Sequence, residues 1–323
     1  MNSSTTPLSP QLDEASGNRS AMMAWLQLVR LPTVFTALSN ILCGFLITHR
    51  VPQIRVAELM AQKELWLLLL STSGLYLGGM VLNDVFDAKL DAHERPERPI
   101  PSGRISLRSA AIFGSMLMLT GVLAAAMAGT PSFMIAAMIV PCVLLYNGVL
   151  KSTIAAPLGM GACRFLNLML GASAVTDWST LWQALPVTVA AALGIYILGV
   201  TLFARNEAGQ SSPALLVCGM IILISGISLD AWAISTHGAS ANAVSGSRMA
   251  LLILSLNLLM RAAAAVPSGS PRRIQKTVGL MLLCIIFLDA IMVFAMTADA
   301  KLAALVIMLV APASLLRRLI PMS

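Results

Sequence analysis

Residues 66–94 read WLLLLSTSGLYLGGMVLNDVFDAKLDAHE. Seventeen uncharged positions from Trp66 to Leu82 are followed by Asn83, Asp84, Asp87, Asp91 and Glu94 within twelve. A helix needs roughly 20 apolar residues to cross a bilayer. Backbone polar groups find no water in hydrocarbon, so a spanning run is a helix or one strand of a closed barrel. Barrel strands alternate apolar and polar positions, and this run does not. Outward from it, apolar runs fall at about 22–47, 108–128, 131–149, 154–175, 182–204, 212–235, 247–266, 276–297 and 300–318, which makes ten with 66–90.

Composition agrees. Of the 323 residues 58% are hydrophobic and 11% charged, with a mean hydropathy of +0.84. Soluble domains carry about 25% charged residues. Too few charges remain to solvate a globular surface of this size, which excludes a soluble enzyme, a disordered chain and a coiled coil. The expected fold is an all-α, polytopic transmembrane bundle of nine core helices, with room for a tenth at the C-terminus. Residues 22–318 form its one membrane domain, and polar residues 1–21 form a disordered tail with no cleavable signal pattern.

The net charge of +7 reads as positive-inside bias rather than a nucleic-acid footprint, since Lys and Arg lie between apolar runs. Thirteen of them fall in or beside the loops after the even-numbered runs and five on the other side. That bias puts the even-numbered loops and both termini in the cytoplasm of a bacterial-type inner or plasma membrane. The five cysteines lie in apolar runs without a Cys-x-x-Cys pair, so they read as small packing residues.

Acids are scarce, fourteen in all, yet five fall between Asp84 and Glu97. Steps of three or four residues stay on one helix face. Asn83, Asp87 and Asp91 therefore form a stripe about 12 Å long, with Asp84 beside it and Val85, Phe86 and Leu90 on other faces. Carboxylate and amide oxygens are hard ligands. Mg²⁺ takes one or two carboxylates and completes its shell with substrate phosphate and water. The plainer alternative is a solvated helix end paired with Lys89 and nearby arginines. The following segment, from His93 to Ser106, has three prolines and a glycine that make a stiff loop. Arg95, Arg98 and Arg104 suit phosphate, since a guanidinium matches its oxygens two at a time; anchoring the topology is the other use for any one of them.

Asn83-Asp84-x-x-Asp87-x-x-x-Asp91, followed by Arg95-Pro96-x-Arg98-Pro99-Ile100-Pro101-Ser102-Gly103, resembles the first aspartate-rich motif and loop of the UbiA superfamily of intramembrane prenyltransferases. Tyr146 through Lys151, with Gly159, Gly161 and Gly171 beyond, resembles that family's Tyr-to-Lys segment on helix 4. Arg30-Leu31-Pro32 and Asn40 resemble its first helix. The resemblance implies a bundle around a cavity open to the membrane. A polyprenyl diphosphate would bind there through Mg²⁺ bridged by aspartate motifs on helices 2 and 6. Diphosphate departure would leave an allylic cation for an aromatic or other lipophilic acceptor. Under it, Asn83, Asp84, Asp87 and Asp91 hold the metal, with Asp84, Asp87 and Asp91 catalytic. Lys151, Arg98 and Arg205 hold diphosphate, and membrane lipids surround the site.

Residues 199–210, where the second motif belongs, contain no aspartate. Glu207 is the only acid there, so it is the residual metal ligand, with Arg205 beside it standing in for part of a metal's charge. A merely charged helix end is the alternative. Ser152 follows Lys151 where family members acting on hydroxybenzoate often place Arg, and the tenth helix is a further departure.

Arg164 and Asn167 share a face of the fifth run. An arginine at membrane depth is a functional candidate. It either meets an acidic acceptor, together with Asn40, or pairs with Asp289 or Asp230. Two rivals have other chemistry. A carrier that binds lipid or isoprenoid precursor without turnover would keep the first motif and lose the second. An alcohol phosphotransferase would need a glycine after Asp87, and Ala88-Lys89 supplies none.

Overall fold

The computed structural model describes residues 22–49, 56–205, 213–265 and 271–319. The tail 1–21 and Glu207 lie outside them. All regular structure among the described residues is helical. The long helices are α1 (Phe35–His49), α2 (Lys63–Phe86), α3 (Leu107–Ala128), α4 (Thr130–Gly148), α5 (Ala156–Ala172), α6 (Ala184–Ala204), α7 (Pro213–His237), α8 (Ala241–Ala265), α9 (Pro271–Thr297), α10 (Ala300–Ile307) and α11 (Val310–Leu319). Nine helical segments among the described residues are long and apolar enough to cross a membrane, Leu31–His49 and Ala300–Leu319 counting as one each.

Two expectations need correcting. The run at 22–47 is not one helix. It breaks at Arg30, which takes the left-handed conformation (φ 49°, ψ 46°) and caps a short 3-10 turn, Leu31–Thr33. Pro32 enforces the break, since it has no N–H to donate back to the preceding helix and is tolerated only in the first turn of a new one. The tenth run is likewise two helices, hinged at Met308 and Leu309.

Local chemistry sets the ends. Ser106 Oγ accepts from Ser109 N at 3.0 Å and caps α3. Gly129, at φ 149°, a value side chains rarely tolerate, turns α3 directly into α4. With no hydrophobic drive between helices in lipid, close backbone contact takes over. A Cβ on Gly74 would lie 2.5 Å from Leu117 O, and one on Gly121 2.7 Å from Ser71 O, so α2 and α3 need both glycines. Likewise, a Cβ on Gly171 would lie 2.6 Å from Ile41 O. That contact brings α1 and α5 together and sets their polar residues face to face. Outside, α3, α4 and α8 present Met116, Leu119, Phe133, Met138, Leu252 and Ile253, as a lipid-facing shell does.

Candidate active site

The stripe on α2 survives a change of helix. α2 ends at Phe86 and a seven-residue helix, Ala88–Glu94, restarts beyond Asp87. Bonds from Asp87 N to Asn83 O (2.9 Å), Asp91 N to Asp87 O (2.8 Å) and Arg95 N to Asp91 O (2.8 Å) carry the helical pattern through the joint. The three side chains therefore keep the expected four-residue spacing.

They divide between two cationic centres. Lys151, in the turn after α4, donates from Nζ to Asp87 Oδ1 at 2.5 Å and to Asn83 Oδ1 at 3.3 Å. Arg98, folded back by the proline-rich loop, donates from Nη1 to Asp91 Oδ2 at 2.7 Å and lies 3.6 Å from Asp84 Oδ1. Asp84, Asp91 and Arg98 are each about 95% buried, at 5%, 4% and 5% exposure. A third cation was legible only through family resemblance. Arg30 Nη2 donates to Asp84 Oδ1 at 2.6 Å from the strained break before α1. Left-handed backbone in a non-glycine residue costs on the order of 1 kcal/mol or more and clusters at functional sites. Pro32 was the sequence signal for this position.

A chamber of about 180 Å³ opens beside these groups. Arg30 and Asn83 line one part of it; Tyr76, Arg164 and Asn167 line another; Leu75, Met80, Ile139, Val143, Tyr146 and Met160 supply apolar and aromatic wall. Tyr76, Gly79, Met80 and Asn83 are one face of α2. The separation of Tyr76 from Asn83, seven residues, puts Tyr76 about 10 Å along the helix from the acidic end. Asn147 Nδ2 donates to Gly79 O at 3.1 Å and ties α4 to that face.

Away from the acidic end, Arg164 forms no direct ion pair among the described residues. Its Nη1 donates to Asn40 Oδ1 (3.1 Å), and its Nη2 to Thr36 Oγ1 (3.0 Å) and Tyr76 Oη (3.4 Å), with the guanidinium 5.1 Å from the Tyr76 ring centre. Asn40 Nδ2 passes the contact on to Asp289 Oδ2 at 2.7 Å, which also accepts from Ser39 Oγ at 2.6 Å. Arg164 and Asp289 are thus joined through an amide. Asp230 makes no ion pair with Arg164 among the described residues.

Arg95 and Arg104 are exposed. Arg104 bonds Ser102 Oγ, Gln27 Oε1 and Glu97 O, so it braces the loop. Arg205 is exposed at the end of α6, and its neighbour Glu207 is beyond the described residues.

A family model for the UbiA prenyltransferase family matches residues 37–321. The chain belongs to the UbiA prenyltransferase family. It is an integral, multi-pass membrane protein. A digeranylgeranylglyceryl phosphate synthase of Methanoregula boonei is 32% identical over 170 residues, 51% of this chain and 60% of that protein. Another, from Sulfurisphaera tokodaii, is 28% identical over 131 residues, covering 41% and 45%. The chain thus spans about half the length of the curated relatives it matches. The apo structure of a UbiA homologue from Aeropyrum pernix K1 superposes with a TM-score of 0.62 at 16% identity, over 80% of this chain and 96% of that one. A homologue from Archaeoglobus fulgidus bound to DMAPP and Mg²⁺ gives 0.56 at 16%, over 83% and 98%. At such identities the likeness is one of fold.

Proposed function

We propose that this chain transfers a prenyl group from a polyprenyl diphosphate to a lipophilic acceptor, with Mg²⁺, in a chamber opening toward the cytoplasmic side. One observation carries the reading: oxygens of the α2 stripe converge on cations at the edge of an apolar chamber. Asn83 and Asp87 oxygens meet at Lys151 Nζ, and Asp84 and Asp91 oxygens at Arg98.

The donor set fits Mg²⁺. All four side chains offer hard oxygen, and two already gather on one ammonium. Among the described residues no three acidic, His or Cys side chains surround a single point. The ion would therefore lean on one or two carboxylates and the Asn83 amide, with diphosphate and water completing its shell. Bound there, it would neutralise the charge of the departing diphosphate. Lys151 and Arg30 are paired to acids at the chamber's edge, so each exchanges a carboxylate for a phosphate oxygen when the donor enters. Arg98, deeper in the carboxylates, orients Asp84 and Asp91; we assign Arg205 a contact with diphosphate and Glu207 the residual ligand from helix 6. Leu75, Ile139, Val143 and Met160 keep water from the allylic cation, and the Tyr76 and Tyr146 rings offer it a π face. Arg164 meets an acidic group of the acceptor, with Asn40 fixing its guanidinium from behind.

The absence of aspartate from residues 199–210 favours a second reading: a donor-binding carrier without turnover. One experiment separates the two. Purified protein is incubated with labelled prenyl diphosphate and mixed lipophilic acceptors, with and without Mg²⁺. Transfer predicts Mg²⁺-dependent diphosphate release that falls roughly 100- to 1000-fold in a folded Asp87→Ala protein, the scale of losing one group that stabilises developing charge. Retained label without release supports the carrier, and unchanged turnover in Asp87→Ala excludes the site assignment.

A further inference from the structure

The cysteines, packing residues by sequence, include a pair the fold brings together. Cys142 of α4 and Cys163 of α5 stand with their Sγ atoms 3.5 Å apart, and Cys142 Sγ lies 3.9 Å from Gly159 O. Both are half-buried, and Cys163 lines the chamber next to Arg164. We propose that Cys142 and Cys163 are a redox-modifiable dithiol, closing to an intramolecular disulfide that straps α4 to α5 within the chamber wall.

A disulfide needs its sulfurs at about 2.05 Å, so the pair must close by about 1.5 Å. The local backbone suits that movement. Pro141 lies inside α4 immediately before Cys142. It offers no N–H to the preceding turn, and such sites bend. On the other side, Gly159 lets Tyr146 and Leu150 pack directly on α5, where an added Cβ would sit 3.0 Å from each. The helices are therefore already in contact at this height.

The oxidant follows from the location. Cys142 sits on a helix long and apolar enough to span a membrane, with Cys163 packed against it from α5. A lipid-soluble quinone can reach them. Each thiol gives up one hydrogen, the S–S bond forms, and the quinone takes both hydrogens with the two electrons to become a hydroquinone. The strap would join the wall bearing Val143 and Tyr146 to the wall bearing Met160 and Arg164. The inference rests on thiol chemistry alone and holds whether or not prenyl transfer does.

The test uses the full chain, one copy per lipid nanodisc, treated with a decyl-substituted benzoquinone. The protein is then denatured in the presence of a maleimide, so that every remaining thiol is alkylated, and is digested without reduction for mass spectrometry. The proposal expects loss of two of the five alkylatable thiols, a cross-linked peptide joining residues 142 and 163, and full recovery on phosphine treatment. Exposed Cys218 should stay alkylated. Cys142→Ser and Cys163→Ser proteins should keep all four remaining thiols. Five alkylated thiols after quinone treatment, or a cross-link involving any other cysteine in place of this one, would overturn it.

Discussion

At the acidic end of the chamber, Asp87 touches Lys151, Asp84 touches Arg30 and Arg98, and Asp91 touches Arg98 directly. Beside Tyr76, about 10 Å along α2, Arg164 and Asp289 instead meet through Asn40 among the described residues. The first arrangement is exchangeable. Lys151 and Asp87 are partly exposed, with side chains at 24% and 18%, so a more highly charged guest can displace one partner. The second is fixed: Arg164, Asn40, Asp289, Ser39 and Thr36 are all buried, and each oxygen named accepts a hydrogen bond. Charge near the diphosphate end is held ready to move, while charge in the interior is held to keep a shape.

The largest effect expected in breaking this contrast comes from Arg98→Met. It leaves Asp84 and Asp91 buried without the cation between them, and losing one partner of a buried pair costs roughly 3 kcal/mol or more. Thermal unfolding in detergent should show a clear drop; an unmoved midpoint would mean that water or ions already screen the two acids. Next comes the interior network. Arg164→Met and Asp289→Asn, alone and together, should show a coupling of about 1–2 kcal/mol, within the range for residues sharing one network. Additive losses would show that Asn40 insulates rather than connects. A smaller effect tests the strained break. Arg30→Gly should be about 1 kcal/mol more stable than Arg30→Ala, since both lose the ion pair and only glycine tolerates the left-handed backbone. Equal midpoints would place no strain there. Arg104→Ala should lie within about 0.5 kcal/mol of the parent, as exposed loop substitutions do; a larger loss would make the loop part of the exchangeable cluster.

The ten apolar runs were legible because hydrocarbon leaves a chain few choices. The acidic stripe was legible because four-residue spacing is a local property of a helix. What the sequence hid was non-local. Arg98 read as a phosphate ligand, and its contact with Asp91, made by the loop folding back, is a further one that the reading did not contain. Arg164 and Asp289 were recognised as possible partners, yet the amide between them depends on how α1 lies against α5 and α9. Cys142 and Cys163 are 21 positions apart on different helices, and no spacing rule joins such a pair. Arg30 was the reverse case. Its local signal, Pro32, was present in the sequence but submerged in an apolar run.

α5 is the shortest of the helices from α2 to α9, at 17 residues, a rise of about 25 Å against a hydrocarbon slab of about 30 Å. Most of its length is packed against other helices, so neighbouring protein, rather than stretched or compressed acyl chains, absorbs that mismatch. Bilayer thickness therefore bears on outer helices such as α8 and leaves the depth of Arg164 unchanged. The Arg164 side of the chamber is thereby insulated from the lipid composition of its host, while α4, which lines the chamber and also faces outward, is not.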